Sequence, residues 1–238
     1  MNRTEARAPR IGVFGGTFDP IHRGHLRAAR LVARRFALDR VLFIPSSIPP
    51  HKRAPDMAPA EARMAMVELA VRGLGRFVAS SLEVAAGSTS YSVLTLARIR
   101  RRNPSAGLFF LLGVDAFLEI ETWREWRRVL DQCRLIVMTR PGTDMDRAWS
   151  VLDESYRGLM IEVGSGIRLS AATLENRRIF LLPIAALPIS STEIRRRVRE
   201  GRSIRGLVPR AVECYIIRRN LYQPPRRGKE RRETDGPI

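Results

Sequence analysis

One short stretch, Gly15-Gly16-Thr17-Phe18-Asp19-Pro20, joins an apolar run to an amphipathic one and limits what the start of this chain can be. Before it, Ile11-Gly12-Val13-Phe14 reads as a buried strand. After it, Leu26 to Phe36 carries apolar residues at 26, 29, 33 and 36, the spacing of a helix with one buried face. A strand turning through glycines into a helix opens an α/β chain, and open parallel sheets bind ligands at the carboxyl ends of their strands. Gly15 and Gly16 are expected to take conformations that other residues resist and to let a ligand approach closely. The following helix is expected to aim free N–H groups at the same place, which suits a phosphate. With that helix starting near Ile21, His22 and His25 lie three apart on one face of its first turn. Imidazoles there can donate hydrogen bonds to phosphate oxygens as charge builds on them. Zinc is the competing reading. The spacing lacks the Glu of a metalloprotease helix and no further His or Cys lies nearby, so no bound metal is expected.

The rest of the chain alternates strand and helix. Residues 40–44 read as a second strand, followed by a proline-stiffened loop whose Lys52 and Arg53 either meet phosphate or form a solvated basic surface. Residues 59–74 read as a helix with Met64, Val67 and Val71 inward. Residues 76–84 read as a third strand, and 93–102 as a helix entered through Tyr91-Ser92. Leu108 to Leu112 is continuously apolar, the mark of a strand buried on both faces. It runs into Gly113-Val114-Asp115, where a carboxylate can either accept from a sugar diol or cap the next helix. Trp123 and Trp126 follow, the second expected in the core. Residues 133–138 form a fifth strand stopped by Arg140-Pro141-Gly142, and 178–182 the last one. Residues 144–177 carry no readable pattern beyond surface structure. Ile189-Ser190-Ser191-Thr192-Glu193-Ile194-Arg195 is a second anion cradle. Ser190 or Ser191 caps a helix there, and Arg195 can fork onto phosphate oxygens. Residues 198–220 read as two short helices broken at Gly201 and Pro209. The expected fold is a Rossmann-like, doubly wound parallel sheet with helices on both faces and a small C-terminal helical part, spanning residues 10–222. Residues 1–9 and the basic stretch 223–238 are expected to be disordered.

Residues 15–25 resemble the His-x-Gly-His signature of the nucleotidyltransferase superfamily, and residues 189–195 resemble its second signature, Ile-Ser-Ser-Thr-x-Ile-Arg. The form of the first is similar to that of bacterial nicotinate-nucleotide adenylyltransferases, and the resemblance covers about residues 10 to 222. It implies an enzyme of NAD biosynthesis that moves the adenylyl group of ATP onto the phosphate of nicotinate mononucleotide, giving nicotinate adenine dinucleotide and pyrophosphate. It implies His22 and His25 as catalytic residues. It also implies ATP contacts at Gly15, Gly16, Thr17, Phe18, His22, His25, Gly113, Asp115, Ile189, Ser190, Thr192 and Arg195. The nicotinate mononucleotide would lie at Lys52, Tyr91, Ser92 and Trp123, with the indole stacked on the pyridine. In the same comparison Arg140 is either structural or substrate-side. Mg2+ is expected to arrive on the ATP phosphates with few protein ligands. Other acceptors stay open, namely nicotinamide mononucleotide and phosphopantetheine, as does cytidylyl transfer. The related phosphopantetheine enzymes are shorter and lack the Trp123 region.

Charge raises a reading from another class. The net charge is +18, from 42 basic and 24 acidic residues, nearly all of the excess being Arg. A basic nucleic-acid-binding module would carry such a charge. The arginines, however, are scattered along most helices and not gathered in one stripe, so nucleic acid is not the expected partner. Cys133 and Cys214 form neither a disulfide framework nor a metal motif; they fit a reducing cytoplasm and read as small buried hydrophobes. No run approaches the roughly 18 apolar residues of a membrane span, and no apolar signal core is visible, so a cytoplasmic chain is expected. The oligomeric state stays open, a homo-oligomer included.

Overall fold

Seven strands form one all-parallel sheet: β1 (Arg10–Gly16), β2 (Arg40–Pro45), β3 (Phe77–Ala79), β4 (Gly107–Gly113), β5 (Arg134–Thr139), β6 (Met160–Glu162) and β7 (Ile179–Pro183). Their order is β3-β2-β1-β4-β5-β7-β6. The computed structural model describes residues 7–49, 57–139, 145–164, 169–185 and 187–223. From β1 the chain winds outward through β2 to β3, returns to place β4 on the other side of β1, and then winds the opposite way. That reversal leaves a crevice between the carboxyl ends of β1 and β4, the place where doubly wound sheets take ligands.

The helices are α1 (Arg23–Arg35), α2 (Ala60–Val71), α3 (Ser92–Arg102), α4 (Val114–Phe117), α5 (Trp126–Gln132), α6 (Met145–Ser150), α7 (Glu154–Arg157), α8 (Ala171–Asn176), α9 (Ser191–Arg199) and α10 (Arg210–Arg218). Each face of the sheet has its own core. Phe14, Phe43, Phe109 and Leu111 pack with Val32 of α1, Met66 and Val67 of α2, and Val212 and Ile216 of α10. Val13, Leu108, Phe110 and Leu112 pack with Leu96 of α3 and Trp126 and Val129 of α5. The alternation of Leu108 to Leu112 between two cores is why that run is apolar throughout. Each of these side chains contributes roughly 1.5–3 kcal/mol on burial. Among the described residues no helix is long and apolar enough to cross a membrane.

Several expectations are corrected. The third strand is three residues long, not the nine of residues 76–84. The Ser80 N–H still donates to Phe43 O of β2, after which the chain turns, the Ala85 N–H donating to Ser81 O and Val84–Ala86 closing a 3-10 turn. The stretch 144–177 holds a strand, β6, at the sheet edge beyond β7, which is therefore internal. Three residues cannot show a period, so no pattern announced it. Cys214 is exposed, because α10 turns Val212 and Ile216 inward and leaves Cys214 on another face. Arg7 pairs with Asp39 at 2.8 Å. The backbone N–H of Arg10 donates to the same carboxylate, and together these bonds hold the Asp39 carboxyl below its usual pKa.

Candidate active site

A cleft of about 1000 Å3 opens at the crevice between β1 and β4. Its floor is the β1–α1 turn. Gly15 and Gly16 are part of β1 and neither takes a positive φ, so the conformational half of the glycine expectation does not hold. Their contribution is space. A Cβ on Gly16 would lie 3.3 Å from the ring of Phe18. Phe18 itself has a left-handed backbone (φ 49°) and packs against Phe14 and Phe43. A bulky residue in that region is held only where packing over-determines it.

Helix α1 starts at Arg23, two residues later than expected, and His22 is its N-cap. The two histidines cap each other. The His22 N–H donates to Nδ1 of His25 (3.3 Å), and the His25 N–H donates to Nδ1 of His22 (3.4 Å). Their rings stack with centroids 3.7 Å apart. Edge contacts from Phe14 and Phe18 hold the His25 ring from other sides. With both Nδ1 atoms accepting, the proton of each neutral ring sits on Nε2, so the capping box sets the tautomer. His25 lines the cleft; His22 is buried behind it. The expectation that α1 offers free N–H groups is largely corrected. The N–H of Arg23 donates to Leu207 O, that of His25 to His22 Nδ1, and that of Leu26 to His22 O. That leaves the imidazole, more than the backbone, as the group at this turn that can donate to an anion.

Gly24 sits between the histidines with no room to spare. A Cβ there would lie 2.9 Å from Nδ1 and 3.0 Å from Cε1 of His22. Gly24→Ala should lower stability by about 1 kcal/mol or somewhat more, since pushing the buried His22 ring aside breaks the reciprocal cap of α1 and outweighs alanine's helix preference. It should also lower turnover on the order of 10- to 100-fold by displacing the stacked rings. Melting curves and steady-state rates on the same preparation check the two halves.

The second cradle converges on this turn. Ser190 is the N-cap of α9, its Oγ accepting from the Glu193 N–H. Ser191 Oγ donates to Pro20 O, and Arg195 donates to Asp19 O at 2.7 Å, with Asp19 Oδ2 3.4 Å away. Asp19 is buried and gathers three elements. Its Oδ1 accepts from the Ala58 N–H and, at 2.7 Å, from the hydroxyl of Tyr222 near the end of the described chain. Burial and the Asp19 charge push the Tyr222 hydroxyl well above its ordinary pKa. Arg63 of α2, fully buried, donates to Ala58 O, Thr17 O and Ser47 O.

At the other wall stand Tyr91, the N-cap of α3, with Ser92, Trp123 and Arg124. Trp123 meets Phe110 edge-on at 6.1 Å. Glu83 lines the cleft and accepts from Thr95 Oγ1 at 2.6 Å. Burial raises its pKa above the ordinary carboxyl value, against the opposing hydrogen bonds from Ser90 and Thr95. A carboxyl whose folded pKa is raised adds stability below its unfolded pKa, and that contribution is lost as pH rises through the folded value. Glu83→Gln keeps an acceptor for both hydroxyls and removes the charge. Its melting temperature should therefore exceed wild type at neutral pH, with the difference vanishing in acid. A constant difference across the titration would contradict this assignment.

The sequence profile of the cytidylyltransferase-like family matches residues 13–197. A probable nicotinate-nucleotide adenylyltransferase of Desulfatibacillum aliphaticivorans is 44% identical over 218 residues, covering 90% of this chain and 99% of that protein. A protein of the same name from Moorella thermoacetica is 42% identical, covering 92% and 94%. The chain belongs to the nicotinate-nucleotide adenylyltransferase family. The fold agrees with a solved structure, the Plasmodium falciparum nicotinic acid mononucleotide adenylyltransferase complexed with NaAD. That structure has a TM-score of 0.65 at 18% identity, covering 90% of this chain and 97% of that one.

Within this adenylyltransferase cleft, most of the residues singled out in the sequence come together. Gly15, Gly16, Thr17, Phe18, His25, Gly113, Asp115, Thr192, Arg195, Tyr91, Ser92 and Trp123 all line it. His22, Ile189 and Ser190 do not; His22 supports His25, Ile189 packs against the core, and the Ser190 hydroxyl is taken by its cap. Ser191, not Ser190, faces the cleft. Lys52, Arg53 and Arg140 lie outside the described residues. Sequence reasoning missed Asp19, Arg63, Glu83 and Arg124. It also missed Ser46, whose buried Oγ at the cleft wall has no hydrogen-bond partner among the described residues.

Proposed function

We propose that this chain transfers the adenylyl group of ATP to the phosphate of nicotinate mononucleotide, releasing pyrophosphate, and that the β1–β4 cleft is where it does so. The observation that carries this is the meeting of both phosphate motifs and an aromatic wall in one cleft. His25, Thr192 and Arg195 share it with Tyr91 and Trp123. Its volume is at the upper end of the usual range for ligand pockets, about 300–1,000 Å3.

The substrate phosphate is already a nucleophile, so no side chain needs activating. One of its oxygens forms a bond to the α-phosphorus of ATP while the bond to the bridging oxygen breaks, and that oxygen's electron pair leaves with pyrophosphate. The protein holds two polyanions in line and spreads the charge of the transition state. His25 would donate from Nε2 to the α-phosphate. Arg195 and the first turn of α9 at Ser191 and Thr192 would hold the departing phosphates. Asp115, exposed beside Gly113 at the end of β4, would accept from the ribose diol. Mg2+ fits as a passenger on the triphosphate. Mg2+ commonly takes phosphate and water oxygens as ligands and needs few from the protein. When bound there it would offset phosphate charge. The use of ATP as a substrate supports a cytoplasmic location.

The test is pyrophosphate release with ATP and Mg2+, offering nicotinate mononucleotide, nicotinamide mononucleotide and phosphopantetheine in parallel. Strong preference for the first is expected. Preference for another acceptor would discard the pyridine assignment, and no release with any would discard the function.

A further inference from the structure

We infer that Arg124 is the specificity-determining residue of the pyridine end of the cleft, its guanidinium meeting the ring carboxylate and favouring nicotinate over nicotinamide mononucleotide. This rests on the reaction proposed above. Among the described residues that line the cleft, the guanidinium groups are those of Arg195 and Arg124. Arg195 is tied to the Asp19 turn by a 2.7 Å bond. Arg124 stands over the ring of Tyr91, 5.0 Å from its centroid, in the residue next to Trp123. A cation held on an aromatic face keeps its planar N–H fork free for a carboxylate in the ring plane.

The local charges favour this assignment. Among the described residues Arg124 has one loose ion pair, its Nε lying 3.6 Å from Glu125 Oε1, while Glu125 is bound more closely to Arg128. The Arg124 side chain is 54% exposed, so a substrate can reach it from the cleft mouth. Glu83, Asp115 and Glu119 also line the cleft and would repel a second carboxylate. Asp115 and Glu119 are exposed to screening solvent. Glu83 is engaged by Thr95 and shifted toward its neutral form by burial. A neutral carboxamide gains little from Arg124, because hydrogen bonds between charged partners are about twice as strong as neutral ones.

The experiment compares kcat/KM for the two pyridine mononucleotides in the wild type, Arg124→Ala and Arg124→Lys, with Lys52→Ala alongside. For Arg124→Ala, kcat/KM should fall at least tenfold more with the nicotinate than with the nicotinamide nucleotide, chiefly through KM. Arg124→Lys should recover part of that preference. Lys52→Ala, changing a residue read as a phosphate contact, should lower both substrates alike. An unchanged nicotinate-to-nicotinamide ratio in Arg124→Ala overturns the proposal even if both rates fall, since a residue that only shapes the pocket lowers both. A wild type that uses neither nucleotide overturns the reaction on which it rests.

Discussion

His25→Ala is expected to lower turnover with ATP and nicotinate mononucleotide at least ~100-fold, the size of losing a donor aimed at transition-state charge. Alanine removes two things at once. One is the ring that faces the cleft, stacked on His22 and edged by Phe14 and Phe18. The other is the Nδ1 acceptor for the His22 N–H at the start of α1. His25→Gln separates them. Glutamine at the third helical position can reach back to the N-cap N–H, as in an ordinary capping box, but carries no imidazole. If His25 acts on the phosphate, both variants should be equally slow, with the loss in kcat, while His25→Gln melts close to wild type. Recovery of most of the turnover in His25→Gln would reduce His25 to a helix cap. In His22→Ala the ring that supports His25 disappears while the cleft-lining imidazole stays, so a smaller loss is expected.

What could be read in the sequence divides along a physical line. The sheet, its winding and the crevice follow from apolar periodicity and from glycines at strand ends, both local signals. The two phosphate motifs are compact runs whose order of residue types states their chemistry. Arg63 shows the opposite case. It lies on a helix beside Met64, one of the residues that mark the inward face, and a basic residue on a helix is ordinarily solvated. Only the folded chain reveals that its guanidinium reaches three carbonyls from loops 46 residues or fewer away in sequence. Asp19 was inside the motif, yet its partners Ala58, Arg195 and Tyr222 are 39, 176 and 203 residues away, and no local pattern announces such a meeting. Some of the arginines have partners on their own helix. Arg196 and Arg197 bind Glu193, and Arg196 also binds Glu200, along the outer face of α9. Such i,i+3 and i,i+4 pairs serve helix surfaces.

Asp19→Ala should destabilise the protein by about 3–5 kcal/mol, the usual cost of removing one partner from a buried charged cluster. Three donors converge on this side chain: the Ala58 N–H and the Tyr222 hydroxyl on Oδ1, and Arg195 beside Oδ2. Its charge also favours the protonated Arg63, whose burial pulls in the other direction. Without the carboxylate, a buried guanidinium and a buried phenol keep their desolvation cost and lose what offsets it. Asp19→Asn is not a mild replacement, because its amide presents donors toward Arg195, which is a donor already. It should therefore lose most of the same stability. Tyr222→Phe, which removes one of the donors to the carboxylate, should cost less, about 1.5–3 kcal/mol. Urea unfolding of the three variants gives the order. If Asp19→Ala loses no more than Tyr222→Phe, the cluster is not what joins the C-terminal segment to the phosphate turn. Function should follow stability here only in part. Arg195 keeps its 2.7 Å bond to the Asp19 carbonyl but loses the carboxylate oxygen 3.4 Å away, so kcat at temperatures well below the melting transition should fall modestly even where Asp19→Ala is fully folded.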